Sequence, residues 1–193
     1  MKSKQISTRT LALGAILTAL VIILQYMGSF IRFGMFSISL VLIPIVIGAA
    51  MCGKFIGAWL GFVFGVAVLI SGDAAAFLSV DVFGTIVTVL LKGTLCGLFA
   101  ALVYDLLQKK NRYVGVVAAA IICPIVNTGV FLLGCVLFFM PTIREWAGAF
   151  GYGSDVARYM FLGLAGGNFL FELAFNIVLS PIIVRLLKLS KRL

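Results

Sequence analysis

The chain has 193 residues, of which 63% are hydrophobic and only 11% are charged, and its formal net charge is +9. Soluble domains are nearer half apolar and a quarter charged, so this composition excludes a water-soluble globular domain. Several windows of about 18 or more residues are apolar and almost uncharged, which predicts an all-α integral membrane protein that crosses the bilayer several times.

Six apolar segments follow one another and predict one six-helix membrane domain over residues 1–193. The predicted spans are residues 10–29, 38–52, 54–71, 82–107, 113–140 and 158–188. At about 1.5 Å per residue these lengths bracket a hydrocarbon core of about 30 Å, and the second span is marginal. Because that span also contains Pro44, we expect a bent or partial helix there. In the third span, the four-residue spacing of its glycines indicates close helix packing; these are Gly57, Gly61 and Gly65.

The basic residues predict the orientation in the membrane. With the N-terminus in the cytoplasm, 11 of the 15 Lys and Arg residues lie on the cytoplasmic side: Lys2, Lys4, Arg9, Lys54, Lys109, Lys110, Arg112, Arg185, Lys188, Lys191 and Arg192. This excess predicts that both termini are cytoplasmic. Because the charges lie at the ends of spans and not in a patch interleaved with aromatic residues, no nucleic-acid partner is expected.

Two predicted outer loops have an unusual content. Residues 71–84 are too apolar and too rich in small residues for a solvated linker, so we expect them to tuck back as a lid. Residues 140–158 carry Trp146, Tyr152 and several glycines. Two interpretations of this second loop stay open, an aromatic anchor at the membrane interface and a gate over a pocket.

Four polar residues on three different spans are predicted at a similar depth in the membrane. They are Lys92, Asn127, Asn168 and Glu172. At about 1.5 Å per residue from the outer end of its span, Lys92 lies about 14 Å deep, Asn168 about 15 Å and Glu172 about 20 Å. A charged group near the bilayer centre costs about 2.5–3.5 kcal/mol, so it must face protein or a water-filled cavity. One interpretation is a buried Lys92–Glu172 ion pair with the asparagines joining helices. Since buried ion pairs seldom stabilise more than apolar packing does, we favour a polar site, open to the outside, for a small hydrophilic solute.

Motifs for catalysis and nucleotide binding are absent from the sequence. It has no G-x-x-x-x-G-K-[ST], G-x-S-x-G or H-E-x-x-H motif and no histidine. We therefore expect no catalysis by this chain and no metal or cofactor. The four cysteines lie inside apolar runs without a C-x-x-C motif, which predicts small core residues; they are Cys52, Cys96, Cys123 and Cys135.

Small residues also recur in the first span, where Ala15 and Ala19 are four residues apart. Such a pair lets another helix approach closely. The spacing alone does not separate packing within this chain from docking onto another membrane subunit.

Three longer stretches carry a family resemblance. They are "LIPIVIGAAMCGKFIGAWLGFVFG" (42–65), "CPIVNTGVFLLGCVLFF" (123–139) and "GGNFLFE" (166–172). With six predicted spans and Ala15-xxx-Ala19, the chain resembles over nearly its whole length the S-components of energy-coupling-factor (ECF) vitamin transporters, in the folate, riboflavin and pantothenate branch. S-components are their substrate-binding membrane subunits. One departure is Gly53-Lys54, where many members have Gly-Pro, in the loop between spans two and three.

The resemblance implies a partnership in a prokaryotic plasma membrane. An S-component binds a vitamin from outside and delivers it inward with a transmembrane scaffold subunit and two cytosolic ATPases. By analogy Ala15 and Ala19 would contact the scaffold, while Lys92, Asn127, Asn168 and Glu172 would bind the substrate.

The identity of the vitamin is left open by the motifs. "VNTGVFLLG" and N-x-x-x-E resemble the pantothenate members most, and Lys92 suits an anionic solute. Riboflavin and folate remain alternatives, since Phe77, Phe83 and Trp146 offer stacking surfaces. From the residues alone, a structural or assembly subunit of another membrane complex also remains open, and the absence of a nucleophile with its base disfavours a small membrane enzyme.

Overall fold

The computed structural model describes residues 8–30, 32–33, 36–37 and 40–190. Predictions for residues 1–7, 38–39 and 191–193 lie outside the described residues. These include the start of the second predicted span and the basic residues Lys2, Lys4, Lys191 and Arg192. The side chains of Arg32 and Lys188 are likewise not described.

Helices make up nearly all of the described chain, which confirms the all-α class. They are α1 (Thr8–Ser29), α2 (Leu42–Cys52), α3 (Lys54–Ile70), α4 (Ala75–Leu78), α5 (Val82–Leu107), α6 (Arg112–Phe138), α7 (Met140–Ala149), α8 (Val156–Arg158), a π-helix (Tyr159–Gly166) and α9 (Gly167–Ser190). The two-residue strands β1 (Arg32–Phe33) and β2 (Phe36–Ser37) pair antiparallel after α1, with Phe33 opposite Phe36.

Four helical stretches within the described residues are long and apolar enough to cross a membrane. They are Thr8–Ser29, Val82–Leu107, Arg112–Phe138 and Val156–Leu187, and they coincide closely with predicted spans one, four, five and six. The fifth span ends earlier than predicted, because α6 stops at Phe138 and a separate helix begins at Met140. The two other apolar helices, α2 and α3, have only 11 and 17 residues. A count of six spans therefore remains a prediction.

Helix α2 is a partial helix buried in the middle of the bundle. Its 11 residues extend only about 16 Å at 1.5 Å per residue. Pro44 lies in its first turn, where the missing N–H leaves no helical hydrogen bond unmade. The helix ends at Gly53, whose φ of 84° lets the chain turn directly into α3. Its core side chains are at most 1% exposed, so this helix packs against protein on most sides; they are Leu42, Ile45, Val46 and Ala49.

Helices α3 and α5 pack with their backbones in contact, which confirms the prediction from the glycine spacing. The three glycines of α3 face the backbone of α5, and a Cβ atom on any of them would overlap a carbonyl oxygen there. The facing pairs are Gly57 with Gly97, Gly61 with Gly93, and Gly65 with Val89. This close approach brings Lys92, the residue before Gly93, against Phe64 on α3.

The two described ends of the chain lie at the same end of the bundle. Arg9, near the start of α1, and Leu187, near the end of α9, line one surface pocket together with Gly53 and Asp105. Lys54 lies 3.9 Å from Asp105 at this end. Helices α4 and α7 lie at the opposite end. The number of membrane crossings and the side of the membrane on which the chain ends lie stay predictions.

The four cysteines are free thiols, and three of them are core residues as predicted. Cys96, Cys123 and Cys135 are fully buried, whereas Cys52 at the end of α2 is half-buried.

Candidate functional site

A cavity of about 70 Å³ lies between α1, α3, α5, α6 and α9, beneath the segment that joins α3 to α5. Its polar lining residues are Gln25, Asp73, Thr85, Thr88, Lys92, Asn127, Asn168 and Glu172. Its apolar walls include four aromatic rings, those of Phe64, Phe77, Phe131 and Phe139. The cavity is thus a polar centre inside an apolar bundle.

All four residues predicted to bind substrate line this one cavity. Asn127 and Glu172 are buried, at 5% and 2% exposure, and Lys92 and Asn168 are half-buried. Asn168 and Glu172 are four residues apart and share one face of α9, where Asn168 Nδ2 donates a hydrogen bond of 3.1 Å to Glu172 Oε1. The fold therefore brings together side chains from α5, α6 and α9 that are far apart in sequence.

Lys92 lies between two aromatic rings and not against a carboxylate. Its Nζ is 5.7 Å from the ring centre of Phe64 and 5.5 Å from that of Phe131, within the range of a cation–π interaction. Across residues 40–190, no salt bridge with a nitrogen–oxygen distance of 4.0 Å or less joins Lys92 to Glu172. The direct ion pair considered from the sequence is therefore not formed here.

Four oxygen atoms around the cavity have no hydrogen-bond partner within the described residues. They are Thr88 Oγ1, Asn127 Oδ1, Asn168 Oδ1 and Glu172 Oε2. Leaving one such buried atom unpaired costs about 1–3 kcal/mol, and native proteins keep few of them without water or a ligand. The residues that carry the Lys92 cation and these four oxygens line one cavity, and their chemistry suits a ligand with an anionic group and several donors.

Gln25 and Asp73 belong to the cavity lining but were not expected from the sequence. Gln25 is 2% exposed on α1, and its Nε2 donates hydrogen bonds to Asp73 Oδ2 and to Ser71 Oγ. These bonds tie the segment after α3 to α1. A signal was available, because a glutamine within an apolar span, four residues before α1 ends at Ser29, is expected to face protein or water. No comparable signal marks Thr88, since threonines are ordinary in membrane helices.

Phe77 anchors the segment at residues 71–81 over the cavity. Its buried ring packs edge-to-face against Phe131, Phe139 and Trp146, with ring centres 5.6, 5.0 and 5.3 Å away. Such aromatic pairs add about 0.5–1.5 kcal/mol each beyond the area they bury. The segment tucks back as predicted. Of the stacking residues proposed from the sequence, Phe77 lines the cavity, whereas Phe83 is 70% exposed and lies outside it.

Comparison with known protein families identifies the family of the chain. A family model described as "ECF transporter, substrate-specific component" matches residues 9–184, which is most of the chain. The chain belongs to this family. No curated protein and no solved structure matches it. As an ECF substrate-specific component, or S-component, it is the substrate-binding membrane subunit of a transporter.

The S-component has a π-helix beside its polar cavity, within the predicted sixth span. A smaller cavity of about 40 Å³ shares Lys92, Asn127 and Asn168 with the first and reaches Leu164 and Ala165 of the π-helix. π-helical turns often occur at functional sites. The sequence predicts an uninterrupted helix here, and the only signal for a different backbone is the glycine content of residues 163–167.

Asn176 follows Asn168 and Glu172 at four-residue spacing on α9 but lies apart from them. It is 1% exposed and does not line the cavity, and its Oδ1 has no hydrogen-bond partner in the described part of the chain. Of these three polar residues, Asn168 and Glu172 line the cavity and Asn176 does not.

Ala15 and Ala19 of the S-component lie on the exposed face of α1. The buried face of this helix consists instead of Gly14, Leu17 and Val21. The two alanines therefore do not pack inside the described bundle, and they sit beside exposed apolar side chains such as Ile16 and Ile23.

Proposed function

We propose that this S-component captures a small water-soluble vitamin in the cavity at Lys92 and Glu172, and that pantothenate is the first compound to test. The observation that carries the proposal is the convergence of one cation and four unpaired oxygens on one space. Pantothenate has a carboxylate for Lys92, and its hydroxyl and amide groups donate hydrogen bonds to Asn127, Asn168 and Glu172.

Under this proposal, the binding site is closed in the described conformation. Ligand sites usually have volumes of about 300–1,000 Å³, whereas this cavity has about 70 Å³. We propose that residues 71–81 lift to admit the vitamin. This motion would break the Gln25–Asp73 hydrogen bond and withdraw the Phe77 ring from its aromatic neighbours.

The proposed sidedness follows from the position of the cavity mouth. Residues 71–81 lie at the end of the bundle opposite the two chain ends. If the termini are cytoplasmic, as the basic residues favour, the lid faces the outside of a cell membrane. Energy for release inward would come from ATP hydrolysis by two partner ATPases joined to the S-component through a scaffold subunit.

Alanine substitutions at the cavity test the proposed site. Asn127→Ala is expected to weaken pantothenate binding about two- to tenfold, and Glu172→Ala about ten- to a hundredfold, because hydrogen bonds to charged groups are the stronger ones. Isothermal titration calorimetry of the purified chain without ATP measures both affinities. Native mass spectrometry of the chain as isolated identifies any vitamin that co-purifies.

Asn176→Ala is the matched control, since it removes a buried asparagine of α9 outside the cavity. We expect it to keep the parent affinity. Parent-like affinity in both Asn127→Ala and Glu172→Ala would show that the vitamin binds elsewhere.

The exposed alanines of α1 provide a separate test of partner docking. The double substitution Ala15→Leu/Ala19→Leu is expected to leave pantothenate affinity unchanged and to abolish uptake, because bulky side chains keep a partner helix from approaching closely. Affinity is measured on the purified chain, and uptake in cells that contain the scaffold and ATPases. Gly148→Leu, which enlarges an exposed residue of α7, should transport normally. Loss of ligand binding in the double variant would instead place the alanines in the chain's own packing.

A further inference from the structure

A second and much larger concavity lies on the surface of the bundle, away from the polar cavity. This groove has a volume of about 1010 Å³ and runs between α6 and the π-helix. Its floor is apolar and is formed by Gly129, Leu132, Leu133, Val136, Met160 and Phe161. Both helical stretches are candidate membrane spans, so the groove opens toward hydrocarbon.

One end of the groove is polar. Arg144 of α7 and Ser154, in the turn before α8, line it there. Arg144 is exposed and forms no salt bridge within the described residues. The neighbouring carboxylates of Glu145 and Asp155 do not line the groove, and Asp155 accepts a hydrogen bond from the backbone N–H of Arg158. This end of the groove therefore carries a cation that has no salt-bridge partner among the described residues.

The dimensions of the groove match one leaflet of a bilayer. Gly129, its deepest lining residue on α6, is nine residues before the helix end at Phe138, a distance of about 14 Å at 1.5 Å per residue. Half of a hydrocarbon core is about 15 Å thick. The polar end of the groove, with Arg144 and Ser154, matches the phosphate of a phospholipid. The apolar floor, which is as long as one leaflet is deep, matches its acyl chain.

We propose that this groove binds one anionic phospholipid, with its phosphate on Arg144 and Ser154 and an acyl chain along α6 as far as Gly129. The open space at Gly129 accommodates the end of the acyl chain. No heavy atom lies within 4 Å of a Cβ added there, so the missing side chain leaves the floor open. Near a membrane surface, each cation attracts anionic lipid by about 1 kcal/mol, which makes the site selective for charge as well as shape.

The test is native mass spectrometry of the purified chain with equimolar dioleoyl phosphatidylglycerol and dioleoyl phosphatidylcholine. The parent should retain one phosphatidylglycerol in preference to phosphatidylcholine. Arg144→Gln should remove most of that preference, lowering the phosphatidylglycerol adduct about fivefold. Gly129→Leu should lower both adducts, because its side chain begins in open space and occupies the groove.

Two matched variants control for charge and size outside the groove. Arg158→Gln removes a nearby cation, and Gly148→Leu fills another open glycine position, but neither residue lines the groove. Both should retain lipid as the parent does. Equal retention by the parent, Arg144→Gln and Gly129→Leu would overturn the proposal, as would an equal loss in Arg158→Gln. A dimer that Gly129→Leu dissociates would assign the groove to a second copy of the chain and would equally overturn it.

Discussion

Lys92→Met is expected to weaken pantothenate binding about ten- to a hundredfold while the bundle stays folded. Among the described residues, Lys92 is the only Lys or Arg that lines the cavity, and a charge-assisted hydrogen bond contributes about 1.5–3 kcal/mol. Methionine has a side chain of similar length without the charge, so it exchanges the cation–π contacts with Phe64 and Phe131 for sulfur–aromatic ones. Calorimetric titration with pantothenate measures the affinity, and circular dichroism checks the helical content.

Lys54→Met is the control for loss of a positive charge. Lys54 lies at the other end of the bundle, where its side chain is 52% exposed and only 3.9 Å from Asp105. Exposed pairs of this kind contribute little, so both affinity and stability should stay close to those of the parent. Unchanged affinity in Lys92→Met would rule out the cation as a substrate contact.

Substitutions at Lys92 and Glu172 also distinguish a substrate-binding subunit from a purely structural one. If Lys92 and Glu172 only held helices together, the double substitution Lys92→Met/Glu172→Leu would be tolerated and no vitamin would bind to the parent chain. If they bind substrate, the parent binds pantothenate and the double variant does not.

Gly61→Ala is expected to have the largest effect on stability of any single methyl group added to the bundle. A Cβ at this position would overlap the backbone carbonyl of Gly93, so α3 and α5 would have to separate along their whole contact. Overpacking of this kind typically costs about 1–3 kcal/mol and occasionally more. We expect a lower thermal unfolding temperature and a smaller monodisperse fraction in size-exclusion chromatography.

Gly148→Ala is the matched control, because nothing lies within 4 Å of its added Cβ and the residue is exposed on α7. Alanine is favoured over glycine inside a helix by up to about 1 kcal/mol. Its unfolding temperature should therefore equal or exceed that of the parent. If Gly61→Ala were as stable as this control, the close backbone packing of α3 and α5 would not be needed for folding.

Local patterns in the sequence were enough to predict some parts of the site and its packing. The i, i+4 spacing of Asn168 and Glu172 predicts their shared face, and a hydrogen bond joins them. The glycine spacing on α3 likewise predicts its contact with α5. Both relations depend on helical periodicity alone, which is a property of neighbouring residues.

Other parts of the site depend on contacts between distant segments. Gln25 and Asp73 are 48 residues apart and meet only because the segment after α3 folds back onto α1. The ring of Phe77 lines the cavity, whereas that of Phe83, six residues later in the first turn of α5, does not. Which ring turns inward depends on the aromatic neighbours that α6 and α7 supply.

Hydropathy and the Lys and Arg distribution suffice to predict an all-α membrane protein and to indicate which spans carry polar groups, because burying charge in hydrocarbon is costly whatever the fold. Tertiary packing decided that α2 is a short helix inside the bundle. It also decided that Lys92 rests between Phe64 and Phe131 without a direct salt bridge to Glu172 within the described chain. Such outcomes depend on which faces of separate helices meet at close range, and periodicity within one helix carries no information about the shape of another.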